Sequence, residues 1–204
     1  MSKPGRAVKA VIVALLVVSA VTVVMAARAM PEGYSWRAHS ISESAAQGLR
    51  SAWIARLGFL CFGFAVAALA LTARGQWGRA AFGMHLAFAV CMFGTATFSH
   101  RPWFNDVPFD PFEDFLHSVT ATAMGFAFSL GVLARFFARG PGDAGRQVLD
   151  VVALALAAAM PFLAEAGPSY AGLVQRVMFA TGYLWYGAEA MLLSSAGPCN
   201  DPKA

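Results

Sequence analysis

Three histidines and one carboxylate, His39, His100, His117 and Asp114, are the residues of this sequence best suited to chemistry. His117 falls about two turns into a helix that should begin near Asp110, on the same face as Glu113 and Asp114. His100 closes the preceding apolar run, and His39 stands shortly before another helix start. Neutral imidazoles with a carboxylate suit a divalent metal such as zinc, and His100, Asp114 and His117 are the set to consider. An open position on that metal would activate water, with His39 or Glu43 as general base. No HExxH or HxxxH pair supports the metal. The competing expectation is a hydrogen-bonded network in which His117–Asp114, and Arg101 or Arg176 paired with carboxylates, tie the loops down.

Other polar residues nearby have a plainer explanation. In DPFE, Asp110 can N-cap a helix, Pro111 fits its first position, and Glu113 completes a capping-box-like arrangement. Ser40 and Glu43 repeat the pattern in SISE, and acids at such starts complement the helix dipole. Ser42, Arg56, Asp106 and Arg176 complete the outer polar group. From it a ligand-binding vestibule of His39, Glu43, Arg56, His100, Arg101, Asp114, His117 and Arg176 is expected.

The elements that must hold these residues are membrane helices. The chain is 58% hydrophobic and 13% charged, with a mean hydropathy of +0.59, whereas a soluble domain carries about 25% charged residues. Its apolar residues form six runs, at about 10–27, 52–73, 80–99, 115–137, 148–164 and 171–193. Backbone cannot face lipid unsatisfied, so these runs are read as helices of one all-α, six-span domain. The N-terminal run resembles a signal peptide but is long enough to span, and is expected to be retained.

Basic residues orient the bundle. With the N-terminus inside, Lys3, Arg6, Lys9, Arg74, Arg79, Arg135, Arg139, Arg146 and Lys203 fall at the cytoplasmic side, against Arg28, Arg37, Arg50, Arg56, Arg101 and Arg176 outside. Both termini are then cytoplasmic. The two longest connections, about 28–51 and 100–114, lie outside, where function tends to reside. RGQWGR and RGPGDAGR are the inner links. Tyr34, Trp36, Trp53, Trp103 and Tyr170 should form an outer aromatic belt, with Trp77 at the inner boundary.

A second polar group, His85, Arg135, Asp150 and Glu189, is expected near the inner ends of the spans. Charges at that depth should face the bundle and pair. A Glu189–Arg135 salt bridge with His85 or Asp150 adjoining it is the expectation, and a proton or ion path is the alternative. Gly58, Gly63, Gly83, Gly94, Gly125 and Gly131 should allow close helix packing. The aromatic YLWYGAE at 183–189 could line a lipid groove but is more often ordinary packing.

Several classes drop out. The only lysines are Lys3, Lys9 and Lys203, which leaves none within the bundle for a Schiff base. No basic stripe with interleaved aromatics marks a nucleic-acid surface. Cys61, Cys91 and Cys199 make neither a disulfide framework nor a CxxC motif.

YSWRAHSISESAAQG, RLGFLCFG and FDPFEDFLHS together resemble the bacterial and archaeal family catalogued as domain of unknown function 998. The resemblance implies a small multi-span protein of the bacterial cytoplasmic membrane. It also implies that Ser42, Glu43, Asp110 and His117 occupy recurring polar positions. Ser99–His100 and Asp114–His117 are more distantly similar to the alkaline ceramidase and adiponectin-receptor superfamily, which implies zinc. The chain departs from that pattern in having six spans rather than seven and no HxxxH in its last helix. The function expected is non-catalytic binding of a membrane lipid or membrane-protein partner through the outer vestibule. The alternatives are a metal-dependent hydrolase of a lipid amide or ester, and an accessory subunit of a larger membrane complex.

Overall fold

The computed structural model describes residues 3–104 and 107–193. Asp106, Cys199 and Lys203 lie outside the described residues. Five α-helices follow one another: α1 (Lys3–Arg28), α2 (Ala52–Thr97), α3 (Pro111–Ala138), α4 (Ala144–Ala166) and α5 (Ala171–Met191). No strand occurs among the described residues. Within α1 to α4, the segments Gly5–Arg28, Ala52–Thr97, Pro111–Ala138 and Ala144–Glu165 are long and apolar enough to cross a membrane. The fold is therefore all-helical with membrane-spanning character.

At 46 residues, a straight α2 would reach roughly 70 Å, about twice a hydrocarbon core. It is not straight. Gly78 has φ 73° and ψ 167°, a conformation essentially reserved for glycine. There the chain reverses, and residues 52–77 run back against 79–97. The rings of Phe62 and Phe88 come within 5.4 Å, and those of Phe64 and Phe93 within 4.9 Å. The link RGQWGR, expected as a loop, is helical on both sides of a single residue. One residue can turn the chain because it has no Cβ to clash at positive φ.

Other helix boundaries follow from capping. The Asp110 carboxylate accepts from the N–H groups of Phe112 (2.8 Å) and Glu113 (3.3 Å), with Pro111 in the first turn. α3 thus starts at Pro111 as the DPFE pattern predicts, ahead of the apolar run at about 115, since capping lets polar residues extend a helix beyond its apolar run.

Small residues bring the helices together, as expected for membrane packing. An added Cβ at Gly58 would meet Thr22 and Val23 of α1, at Gly94 the side chain of Thr120, and at Gly131 the ring of His85. Gly83 and Gly125, expected to do the same, face open space. The core centres on Phe59, Phe62, Trp185 and Tyr186, each 2% exposed or less. Within the stretch 183–189, Trp185, Tyr186 and Glu189 thus pack inside the bundle, while Leu184 faces outward. Trp77, expected at the inner boundary, is also buried.

The Lys9 ammonium donates to the carbonyl of Met191, placing the start of α1 beside the end of α5. At the opposite end the two long connections meet. Gln47 donates its N–H to the His100 carbonyl (2.9 Å), and its side-chain oxygen accepts from the Asp110 N–H (2.7 Å). The first turn of α5 joins them, with Gly172 and Leu173 N–H groups donating to the carbonyls of Ala38 and Arg37.

Candidate functional site

The carboxylates of the outer end are largely engaged with backbone. Ser40 and Glu43 form a reciprocal box, in which the Ser40 N–H donates to Glu43 Oε2 (2.5 Å) and the Glu43 N–H to Ser40 Oγ (3.1 Å). Glu113 does not reach back to Asp110 as a capping box would. Its Oε1 accepts from the Ser99 N–H (2.8 Å), fixing the exit of α2. Asp114 Oδ1 accepts from the Arg101 N–H (2.8 Å). Such charge-assisted bonds hold the loops in one arrangement.

Two arginines of the group are also spent on the loops. Arg176 donates to the carbonyls of Trp36 (2.6 Å), His39 (2.9 Å) and Gly172 (2.9 Å), and to the Tyr34 hydroxyl (2.9 Å). Arg56 donates to the Ala45 carbonyl (3.3 Å) and to Ser99 Oγ. Neither pairs with a carboxylate among the described residues. Burial raises the Tyr34 phenol above its usual pKa, outweighing the opposing pull of Arg176. Tyr34 therefore stays a neutral donor to the Ser40 carbonyl (3.0 Å).

The histidines divide into two groups. His117 is 1% exposed, and its Nδ1 lies 2.8 Å from the Phe98 carbonyl. His100 Nδ1 lies 2.7 Å from the Arg101 carbonyl. A carbonyl only accepts, so each Nδ1 carries a proton and donates it. The two rings meet edge to face at 5.3 Å, and His100 Nε2 is 3.9 Å from Asp114 Oδ1. His39 stands apart, its Nδ1 accepting from the Ser35 N–H (2.8 Å) and its ring 5.3 Å from that of Trp103. Among the described residues, no three His, Cys, Asp or Glu side chains converge to hold a metal ion. His100, Asp114 and His117 are neighbours, but their side chains do not converge as a zinc site requires.

Beside this network is a cavity of about 600 Å³ lined by Glu43, His100, Arg101, Trp103, Phe104 and Phe109 among others. Of the expected vestibule, Glu43, His100 and Arg101 reach the cavity. His39 backs its wall through Trp103, Asp114 fixes the backbone of Arg101, and His117 stands behind His100. Arg56 and Arg176 are absorbed into the loop ties. Sequence reasoning treated Trp103 only as a belt residue and passed over Phe104 and Phe109. Their signal was the aromatic content of RPWFNDVPFD within a connection otherwise poor in apolar runs.

The inner group closes around four charges. Arg139 donates Nε to Asp150 Oδ2 (2.5 Å) and Nη2 to both Asp150 Oδ1 (2.9 Å) and Glu189 Oε1 (2.8 Å). Arg135 pairs with Glu189 at 3.3 Å and donates to the Gln76 carbonyl. Two indoles complete the carboxylates' bonding, Trp77 to Glu189 (2.9 Å) and Trp185 to Asp150 (2.8 Å). The expected Glu189–Arg135 bridge is present, and Asp150 joins it through Arg139. His85 adjoins only through rings, stacked on Trp185 at 4.8 Å, with Nδ1 2.9 Å from the Tyr186 hydroxyl. Arg139 was not singled out in this cluster from the sequence, although it sits four residues after Arg135, the spacing that shares a helix face.

The profile of a family described as "Protein of unknown function (DUF998)" matches residues 11–191. Neither a curated protein nor a solved structure matches the chain.

Proposed function

The chain belongs to the DUF998 family, and on that premise we propose that it is a six-span protein of the bacterial cytoplasmic membrane that binds a lipid through its outer polar cavity. The reversal at Gly78 supports the six-span count, because it divides α2 into two antiparallel arms. The exposed Arg74 and Arg79 flank that turn at the end where α1 starts and α5 finishes. Basic short links favour that end as cytoplasmic. The two long connections then face outward.

The observation that carries the functional reading is the outer cavity. It combines aromatic walls with Arg101 and Glu43 at the end of an otherwise apolar bundle. Its volume lies within the roughly 300–1,000 Å³ of small-ligand clefts, and its lining is more polar than apolar, which suits a charged headgroup. Among the described residues no converging ligand set supports the hydrolase alternative.

Retention of phospholipid tests the reading. Native mass spectrometry of protein released from mild detergent should show a bound phospholipid on wild type. Trp103→Ala, which removes one aromatic wall, should lower its occupancy about tenfold, as losing a buried aromatic anchor does. Equal occupancy on both proteins would remove the cavity as the lipid site.

A further inference from the structure

We infer that the outer cavity takes a zwitterionic phospholipid headgroup, its phosphate on Arg101 and its ammonium at Glu43. The inference rests on the lipid-binding reading and adds the chemistry of the ligand.

The fold leaves two charged side chains of the cavity lining with unpartnered atoms among the described residues. Arg101 is exposed, its backbone is pinned by Asp114, and its guanidinium makes no hydrogen bond or ion pair among the described residues. Glu43 gives Oε2 to the Ser40 N–H, while its Oε1 has no partner among the described residues. His100 is occupied at Nδ1 by the Arg101 carbonyl. The described cavity lining therefore offers one positive charge at Arg101, one negative charge at Glu43 and an imidazole already engaged at Nδ1.

Charge complementarity decides between ligands. A purely anionic headgroup would satisfy Arg101 but meet the Glu43 carboxylate unpaired. A lone cation would do the reverse. A headgroup carrying both charges answers both, and a guanidinium fork matches phosphate oxygens in pairs. Trp103, Phe104 and Phe109 line the same cavity. Aromatic faces attract an alkylammonium and also cover the glycerol and first methylenes of a lipid. Phosphoethanolamine carried on a diacylglycerol has these parts.

The experiment compares phosphatidylethanolamine and phosphatidylglycerol in defined nanodiscs, reading bound lipid by native mass spectrometry, with soluble glycerophosphoethanolamine as competitor. Wild type should prefer phosphatidylethanolamine by about tenfold. Arg101→Gln should lose both lipids. Glu43→Gln, which keeps an oxygen for the Ser40 N–H, should erase the preference without weakening phosphatidylglycerol. All three proteins should share one circular-dichroism spectrum. Phosphatidylglycerol bound as well as phosphatidylethanolamine, with no effect of Glu43→Gln, would overturn the headgroup assignment and leave the cavity as a lipid site. Displacement by the soluble competitor at equal concentration would overturn the membrane as the source. No Trp103-dependent phospholipid on wild type would remove the lipid-binding reading itself.

Discussion

Arg139→Ala is expected to cost about 3–5 kcal/mol and to leave little folded protein in detergent, because it strips a buried ion network of its central cation. The Arg139 side chain is 1% exposed and bonds two carboxylates on two further helices, Asp150 of α4 and Glu189 of α5. Without it, Asp150 keeps only the Trp185 indole among the described residues, and a net negative charge stays buried in the bundle. Lysine should not rescue the site, since one ammonium cannot reproduce the fork that grips both oxygens of Asp150 and reaches Glu189. Thermal unfolding in detergent checks this, with Arg146→Ala as control. Arg146 pairs with Asp143 at 3.3 Å near the surface, where such pairs contribute about 0–1 kcal/mol. An Arg139→Ala midpoint within about 2 °C of wild type would show that the network carries no weight.

Gly172→Ala should be nearly as damaging at the other end of the molecule. A Cβ there would stand 2.1 Å from the His39 carbonyl oxygen and 2.8 Å from that of Trp36, both backbone atoms that cannot rotate away. Overpacking of this kind costs about 1–3 kcal/mol or more. The change should also part α5 from residues 36–39, breaking the bonds from Gly172 and Leu173 and the grip of Arg176. His39 backs Trp103, so the cavity wall should loosen with it. Limited proteolysis between residues 29 and 51 reads that loosening, and Gly125→Ala, where an added Cβ meets nothing, serves as comparison. Equal protease resistance in wild type and Gly172→Ala would contradict the close approach.

Much of this architecture is legible in the sequence because lipid imposes a simple rule on it. Apolar runs announced the helices, and Asp110 with Pro111 announced the start of α3. Hydropathy could not show that the turn between two runs needs only Gly78, since that depends on one pair of backbone angles. Helical spacing says which residues share a face, but it does not say which helix stands opposite. Arg135 and Glu189 were therefore readable as partners of opposite sign, while the bridging role of Arg139 and the indole donors of Trp77 and Trp185 were not. At the outer end the same gap appears at Glu113. Its position suggested a cap for its own helix, yet it fastens Ser99, a contact set by how the α2 exit folds over α3. Arg176 looked like a partner for acids and instead collects carbonyls, because loop backbone comes closer to it than any carboxylate.

The lipid-binding account is tested most directly by an experimental density map of the wild-type protein in phospholipid nanodiscs. The account predicts headgroup density in the outer cavity, contacting the Arg101 guanidinium and Glu43 and flanked by Trp103, with acyl density leading from it along the bundle. A cavity holding only water, with lipid confined to the outer walls of the helices, would contradict it.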